Sequence, residues 1–446
     1  TAGNPTASTD SPFDDPAGFV FGDAGDQGII KCGSYKGNGD SDGPEIYLGW
    51  EPEWILIKHD SGDDWVMFDV MRGVITEDKE AFLSPNQTSA EDYGDSWYLD
   101  FIDFTSTGFK LKNSYNITNQ NNGEYYWVAV RRPDGYVGKP PELGTDVFAM
   151  DTGYTAGSHR PSFDSGFPVD FGFTRMPASS SHSLAGSRLT GKNGIKLNQA
   201  STESGAGNMI WDEMAGFWDY SSGSSEQAWM WKRHAGFDVV AYGPGNEVEG
   251  RPIPHSLNKI PEMIWLKNRD SSDHWIAYHK DLNGGTNPEQ YYLWLETTNA
   301  EDSTSVYWNS TAPTSTHFTV GNGNAVNQNN KNYIAMLFAS VDGISKVGSY
   351  TGNGTSGSST QTITTGFQPR FIIIKRTDTS NAYTGPIVLD TTRGWGSGDD
   401  EGLFLNSINA QSAYQYGTPT STGFTLAEDH TATNSNNGTY IYYAHA

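Results

Sequence analysis

Three short constellations in this 446-residue sequence carry side chains capable of chemistry. Asn38-Gly-Asp40-Ser-Asp42-Gly43 sets oxygen donors at the first, third and fifth positions of a calcium-type loop, with glycine sixth. Position twelve is Gly49, so the bidentate glutamate that completes such loops is missing. A weak calcium site at Asp40 and Asp42 therefore competes with a solvated hairpin, and the hairpin is the simpler expectation. Asp69-Val-Met-Arg72-Gly73 and Asp390-Thr-Thr-Arg393-Gly394 repeat one pattern. An exposed guanidinium at Arg72 or Arg393 would grip a carboxylate or sulfate on a glycan. The competing expectation is a local ion pair that fixes a strand end. Beside the second copy, Trp395 lies between two glycines, shortly before Asp399 and Asp400. Such an aromatic could stack on a sugar or contact a partner, or it could simply pack its loop. The two aspartates are a second place for a weakly held calcium ion, and no other cofactor is implied.

Other motifs fail on their surroundings. Gly186-Ser-Arg-Leu-Thr-Gly191-Lys192-Asn193 nearly spells a phosphate-binding loop, but Asn193 lacks the hydroxyl that binds the metal, and a strand-like segment follows. Gly352-Asn-Gly354-Thr-Ser-Gly357 matches a dinucleotide fingerprint, but a Ser/Thr run follows it instead of a helix. The ten histidines include no pair two to four residues apart, which removes the usual zinc patterns. No Glu-x-Asp occurs, the paired-carboxylate strand of sandwich-fold glycosidases. These observations favour a protein that is not an enzyme.

The elements that position these residues follow from composition. With 51 Gly and 21 Pro, helix interiors are disfavoured throughout. Aromatic residues make up 13% of the chain, so it should fold despite its low apolar content. There are 53 acidic against 28 basic residues, and the formal charge of −25 repels phosphate backbones, so no nucleic-acid partner is expected. No apolar run approaches the length of a membrane-spanning helix. Cys32 is the single cysteine, which leaves no intrachain disulfide.

An internal repeat organises the chain. Gly33-Ser-Tyr-Lys-Gly-Asn-Gly39 returns as Gly348-Ser-Tyr-Thr-Gly-Asn-Gly354. A Pro-centred strand recurs as Leu48–Lys58, Leu257–Lys267 and Thr365–Lys375, and an Asn-rich turn with an aromatic closing strand ends each copy. The expected organisation is an extended segment 1–29 and four all-β repeats at 30–136, 137–233 (degenerate), 234–343 and 344–446. Asn-Gly pairs at 38–39, 122–123, 353–354 and 437–438 supply the turn chemistry. Short strands and frequent turns predict β-sandwiches, jelly-roll/concanavalin-like or immunoglobulin-like, joined by short linkers near 132–140, 233–236 and 341–346. Only 75–83 offers a helical turn. Alignment of the repeats places Trp54, Trp65 and Cys32 at positions held elsewhere by Phe371, Trp275 and Val347, which predicts apolar, covered environments for all three.

These blocks resemble a family of tandem-repeat, fibre-like virion proteins of tailed phages, especially those of marine bacteria and cyanobacteria. The resemblance runs from about Phe13 to Ala446 and includes Ile30-Lys-Cys-Gly-Ser-Tyr35, Trp231-Lys-Arg-His-Ala-Gly-Phe-Asp-Val-Val240 and Ile334-Ala-Met-Leu-Phe338. It implies a location on the virion surface as a fibre, tail appendage or capsid decoration, and brings no set of functional residues with it. The expected partners are other copies of the chain or other virion proteins, and a host surface glycan or receptor. Association should strengthen with salt or divalent cations, which screen the acidic surface. A free-standing array of carbohydrate-binding adhesin modules is the alternative.

Overall fold

The computed structural model describes residues 29–70, 74, 81–91, 100–105, 108–131, 141, 143–154, 161–205, 209–211, 213, 215–219, 223, 225–356 and 361–446. The expected extended segment (all but Ile29), Arg72, the linker near 132–140 and most of the helical turn at 75–83 lie outside them. Among the described residues, strand accounts for 41% and helix for 6%, and no helix reaches seven residues. The chain is all-β, built of antiparallel sheets paired as sandwiches.

One strand order recurs in the larger sheet of every repeat. In the first repeat the opening strand Ile30–Lys36 pairs with the closing strand Glu124–Arg131. The closing strand also pairs with the Pro-centred strand Pro52–His59, which continues to Val66–Asp69. The same order holds for Phe148–Thr152, Gln227–Trp231 and Phe171–Arg175 in the second repeat. It holds again for Phe237–Tyr242, Tyr333–Phe338 and Met263–Asn268 in the third, and for Ser345–Thr351, Thr439–His445 and Phe371–Arg376 in the fourth. A smaller sheet of two or three strands covers one face of each. The Asn-Gly turns adopt the left-handed conformation the sequence predicts, with φ of 68° at Gly39, 64° at Asn122, 62° at Gly354 and 58° at Asn437.

A buried Tyr–Tyr–Asn pin closes three of the repeats. Tyr35, Tyr242 and Tyr350 stack on Tyr125, Tyr333 and Tyr440 with ring centroids 4.9–5.0 Å apart. The first set donates to the carbonyls of Thr118, Val326 and Thr433. Asn119, Asn327 and Asn434, fully buried one residue later, accept from the backbone N–H of Asn38, Asn246 and Asn353. These bonds satisfy turn amides that burial would otherwise leave unpaired.

The chain divides into two compact units, Thr1–Tyr136 and Val137–Ala446. The first repeat has a core of its own, between the inner faces of its two sheets, around Trp50, Ile55, Phe68, Phe109 and Tyr125. In the second unit an additional core lies outside the sandwiches, where the outer faces of three large sheets meet. Trp231 packs within 6.1 Å of Phe148, Phe171 and Phe237, and within 5.5 Å of Phe371. Phe338 of the third repeat lies 4.8 Å from Tyr443 of the fourth. All three pairs of repeats are therefore in contact. Polar ties surround this core. Arg175 donates to the carbonyls of Phe404, Ser407 and Asn409. Trp275 donates to the Lys196 carbonyl, and Lys375 to those of Thr297, Asn299 and Thr384. The linkers join in, since Ala235, Val341 and Ile344 cluster with Val147.

Two sequence expectations fail in the first repeat. Cys32 is exposed, whereas its counterpart Val347 is fully buried. Trp65 is 41% exposed, whereas Trp275 is 1% exposed. Both residues lie on the outer face, the face that the second, third and fourth repeats bury against one another within their own unit.

Trp231→Ala should cost roughly 3–5 kcal/mol, measured by denaturant unfolding. Because the ring touches all three repeats, Val137–Ala446 should lose stability in one transition instead of shedding a single repeat. A second test concerns acid. Burial pulls the imidazoles of His279 and His445 down to about 3. Below pH 6.5 the unfolded chain binds protons that the folded chain refuses, so stability falls as pH drops toward 3. Each histidine should account for about 2 kcal/mol of loss by pH 5. His445→Phe, which installs the residue type found at Phe338, should flatten that dependence in pH-series calorimetry.

Candidate functional site

The residues singled out from sequence are largely engaged in structure. Arg393 directs Nε to Asp390 at 2.7 Å, Nη1 to the Glu401 carbonyl and Gln411, and Nη2 to the Val388 carbonyl. Its guanidinium lies 5.3 Å from the ring centre of Trp229, whose indole N–H donates to Asp390 at 3.0 Å. The Asp-x-x-Arg pattern thus grips an aromatic of the second repeat across a repeat boundary. Arg72, its counterpart, lies outside the described residues.

Trp395 is 5% exposed and packs toward Phe424 in the fourth repeat's core, so the expectation of a solvent-facing stacking ring is corrected. Glycines with positive φ at 394, 396 and 398 turn the loop so that the indole points inward. Asp400 is buried as well. Its carboxylate accepts from the N–H groups of Gly396, Tyr416 and Gly417 at 2.7–3.0 Å, and burial raises its pKa above the ordinary carboxylate value. Asp399 stays exposed. Asp40 caps its own turn by accepting from the Asp42 N–H, and Asp42 pairs with Lys110 at 2.5 Å. Among the described residues, no group of three or more Asp, Glu, His or Cys side chains gathers as a metal site would require.

A different surface emerges at the outer edge of the fourth repeat's six-stranded sheet. The edge strand Ser412–Tyr414 presents Tyr414, and the turn Asn381–Thr384 presents Tyr383. Tyr383 is 56% exposed and Tyr414 38%. Between them stands His430, with ring centroids 5.9 Å from Tyr383, 4.6 Å from Tyr414 and 5.0 Å from the buried Tyr416. His430 Nδ1 accepts from the Ala432 N–H, and burial lowers its pKa, which favours the neutral ring at pH 7. Two accessible tyrosine faces on a braced base offer area with little loss of side-chain entropy, the physical basis of aromatic recognition surfaces. The sequence signal was available in Tyr414-Gln-Tyr416 and in Tyr383 on its turn, but tyrosines are too common in this chain for type alone to reveal it.

Burial raises the Glu226 carboxyl to about 7, with Asp219 adding to the shift, which brings it into the range of a general acid.

No curated protein matches the chain. A family model described as a domain of unknown function (DUF7483) matches residues 8–132 and 184–446, which takes in nearly all of the first repeat, the second half of the second and all of the third and fourth. Its two matched blocks cover most of the sequence, and the chain belongs to this family.

Proposed function

We propose that the chain is a non-enzymatic structural component of a tailed-phage virion, a fibre, tail appendage or capsid decoration, that displays a host-attachment surface. The observation that carries this reading is the exposed Tyr383–Tyr414 pair, held on a block of three sandwiches fused through one core. A fused block suits projection, because it transmits position without hinges between its parts. Buried charges at Arg175, Lys375 and Arg393 tie the block together, and the tyrosines remain open. The resemblance of the repeat blocks to fibre-like phage proteins supports the location on the particle surface. The ligand that best fits is a host surface glycan, whose sugar rings present flat C–H faces to aromatic rings. The same tyrosines would serve a free-standing carbohydrate-binding adhesin, which is the second reading.

Binding of host-derived polysaccharide, measured by calorimetry, should weaken about tenfold for Tyr383→Ala or Tyr414→Ala, a change of about 1.4 kcal/mol. Tyr115→Ala, an exposed tyrosine of the first repeat, should leave binding unchanged. Incubation with the same polysaccharide should release no reducing ends, and turnover lost in Glu226→Gln would overturn the non-enzymatic assignment. Antibody labelling of intact particles separates the two readings, since the adhesin would leave the particles unlabelled.

A further inference from the structure

The core shared by the second, third and fourth repeats is one structural face used three times. On the closing strands, Gln227, Trp229 and Trp231, then Ile334, Met336 and Phe338, then Ile441, Tyr443 and His445 lie on this face, and all nine are buried. Strand register identifies the same face in the first repeat. Trp54 pairs with Val130 as Met263 pairs with Phe338 and Phe371 with His445. Tyr126, Val128 and Val130 therefore occupy the closing-strand positions, flanked by Ile30, Cys32, Trp54, Leu56, Trp65 and Met67. None of these belongs to the first repeat's own core. Ile30 is 60% exposed, Tyr126 is 56% exposed, Cys32 is exposed, and Val128, Val130, Trp54, Leu56 and Met67 are half-buried.

We infer that this face is an interface for two further copies of itself, so that three chains meet through their first repeats in a homotrimeric core. Within one chain, three sheets of this architecture already meet in one core, each touching the other two. The first repeat offers the same strand order and the same apolar face, and within its unit it lacks two sister sheets. The chemistry permits self-association despite the charge of −25. Lys58, at the position of Lys375, has its amine taken up by the carbonyls of His59, Gly62 and Asp63, and the closing strand presents Tyr126, Val128 and Val130, with Glu124 at the margin of the face opposite Lys36. A motif repeats the message. Asp69 occupies the register position of Asp390, and Asp390 reaches across a repeat boundary to Trp229. The inference goes beyond the attachment reading, because a trimer neither requires nor excludes glycan binding at Tyr383 and Tyr414.

The test is analytical ultracentrifugation of the full chain across a range of concentrations, with the rate of Cys32 modification by a maleimide read in parallel. The expected result is a species of three times 48.8 kDa. Cys32 should react at least tenfold more slowly in that species than in Val128→Glu. Val128→Glu should sediment as a monomer, with melting of Val137–Ala446 unchanged. Ile30→Lys, at a position too exposed to disturb folding of the repeat, should weaken the trimer in the same direction. A monomer up to tens of micromolar with equally reactive Cys32 in all variants would overturn the inference, as would a dimer. A monomer whose Cys32 reacts only after residues 1–28 are removed would assign the face to the chain's own N-terminal segment, and would overturn it too.

Discussion

The second unit depends on the burial of both faces of its central sheets. In an ordinary sandwich one face of each sheet meets the partner sheet and the other meets water, which writes an alternating pattern into the strands. Tyr333–Phe338 is instead buried at every residue, as are Met263–Asn268 and Gln227–Trp231. Apolar runs such as Tyr-Ile-Ala-Met-Leu-Phe are the chemical condition for that arrangement, because only a strand without an exposed side can be apolar on both. The polar ties of Arg175, Lys375 and Trp275 follow from the same condition. Once three outer faces exclude water, carbonyls at their margins need donors, and long side chains from neighbouring repeats supply them.

Much of each repeat was legible in the sequence. The Gly-Ser-Tyr opening, the proline before the central strand and the Asn-Gly turns each state a local requirement that the structure meets at the stated residue. The Tyr–Tyr–Asn pin shows why the spacing is kept: the asparagine that caps the turn after Tyr35 lies more than eighty residues away at Asn119, so the loops between them may vary but the two ends must meet. Alignment failed at Trp65 and Cys32 for a different reason. It matches positions along a strand and carries no information about which neighbour covers them. Trp275 and Trp65 share a place in the fold but not a surrounding, and burial is a property of the surrounding.

The candidate site shows the same division. Sequence pattern found Asp390 and Arg393 correctly as a pair, yet their grip on Trp229 joins residues more than 150 positions apart and could not be inferred from local spacing. Trp395 looked available because glycines flank it, whereas those glycines are what allow the loop to fold the indole inward. Tyr383 and Tyr414 became visible only when a turn and an edge strand brought them to either side of His430.

The brevity of the tethers has a consequence for the order of events during synthesis. Residues 233–236 and 341–346 hold the second, third and fourth repeats within a few residues of one another, which corresponds to an effective local concentration in the millimolar range or above. Their mutual closure is therefore insensitive to how much protein a cell contains. Any meeting between separate chains lacks such a tether and answers to bulk abundance. Topology alone thus sets a sequence in time, with a self-sufficient block forming early on each chain and encounters between chains following as the product accumulates.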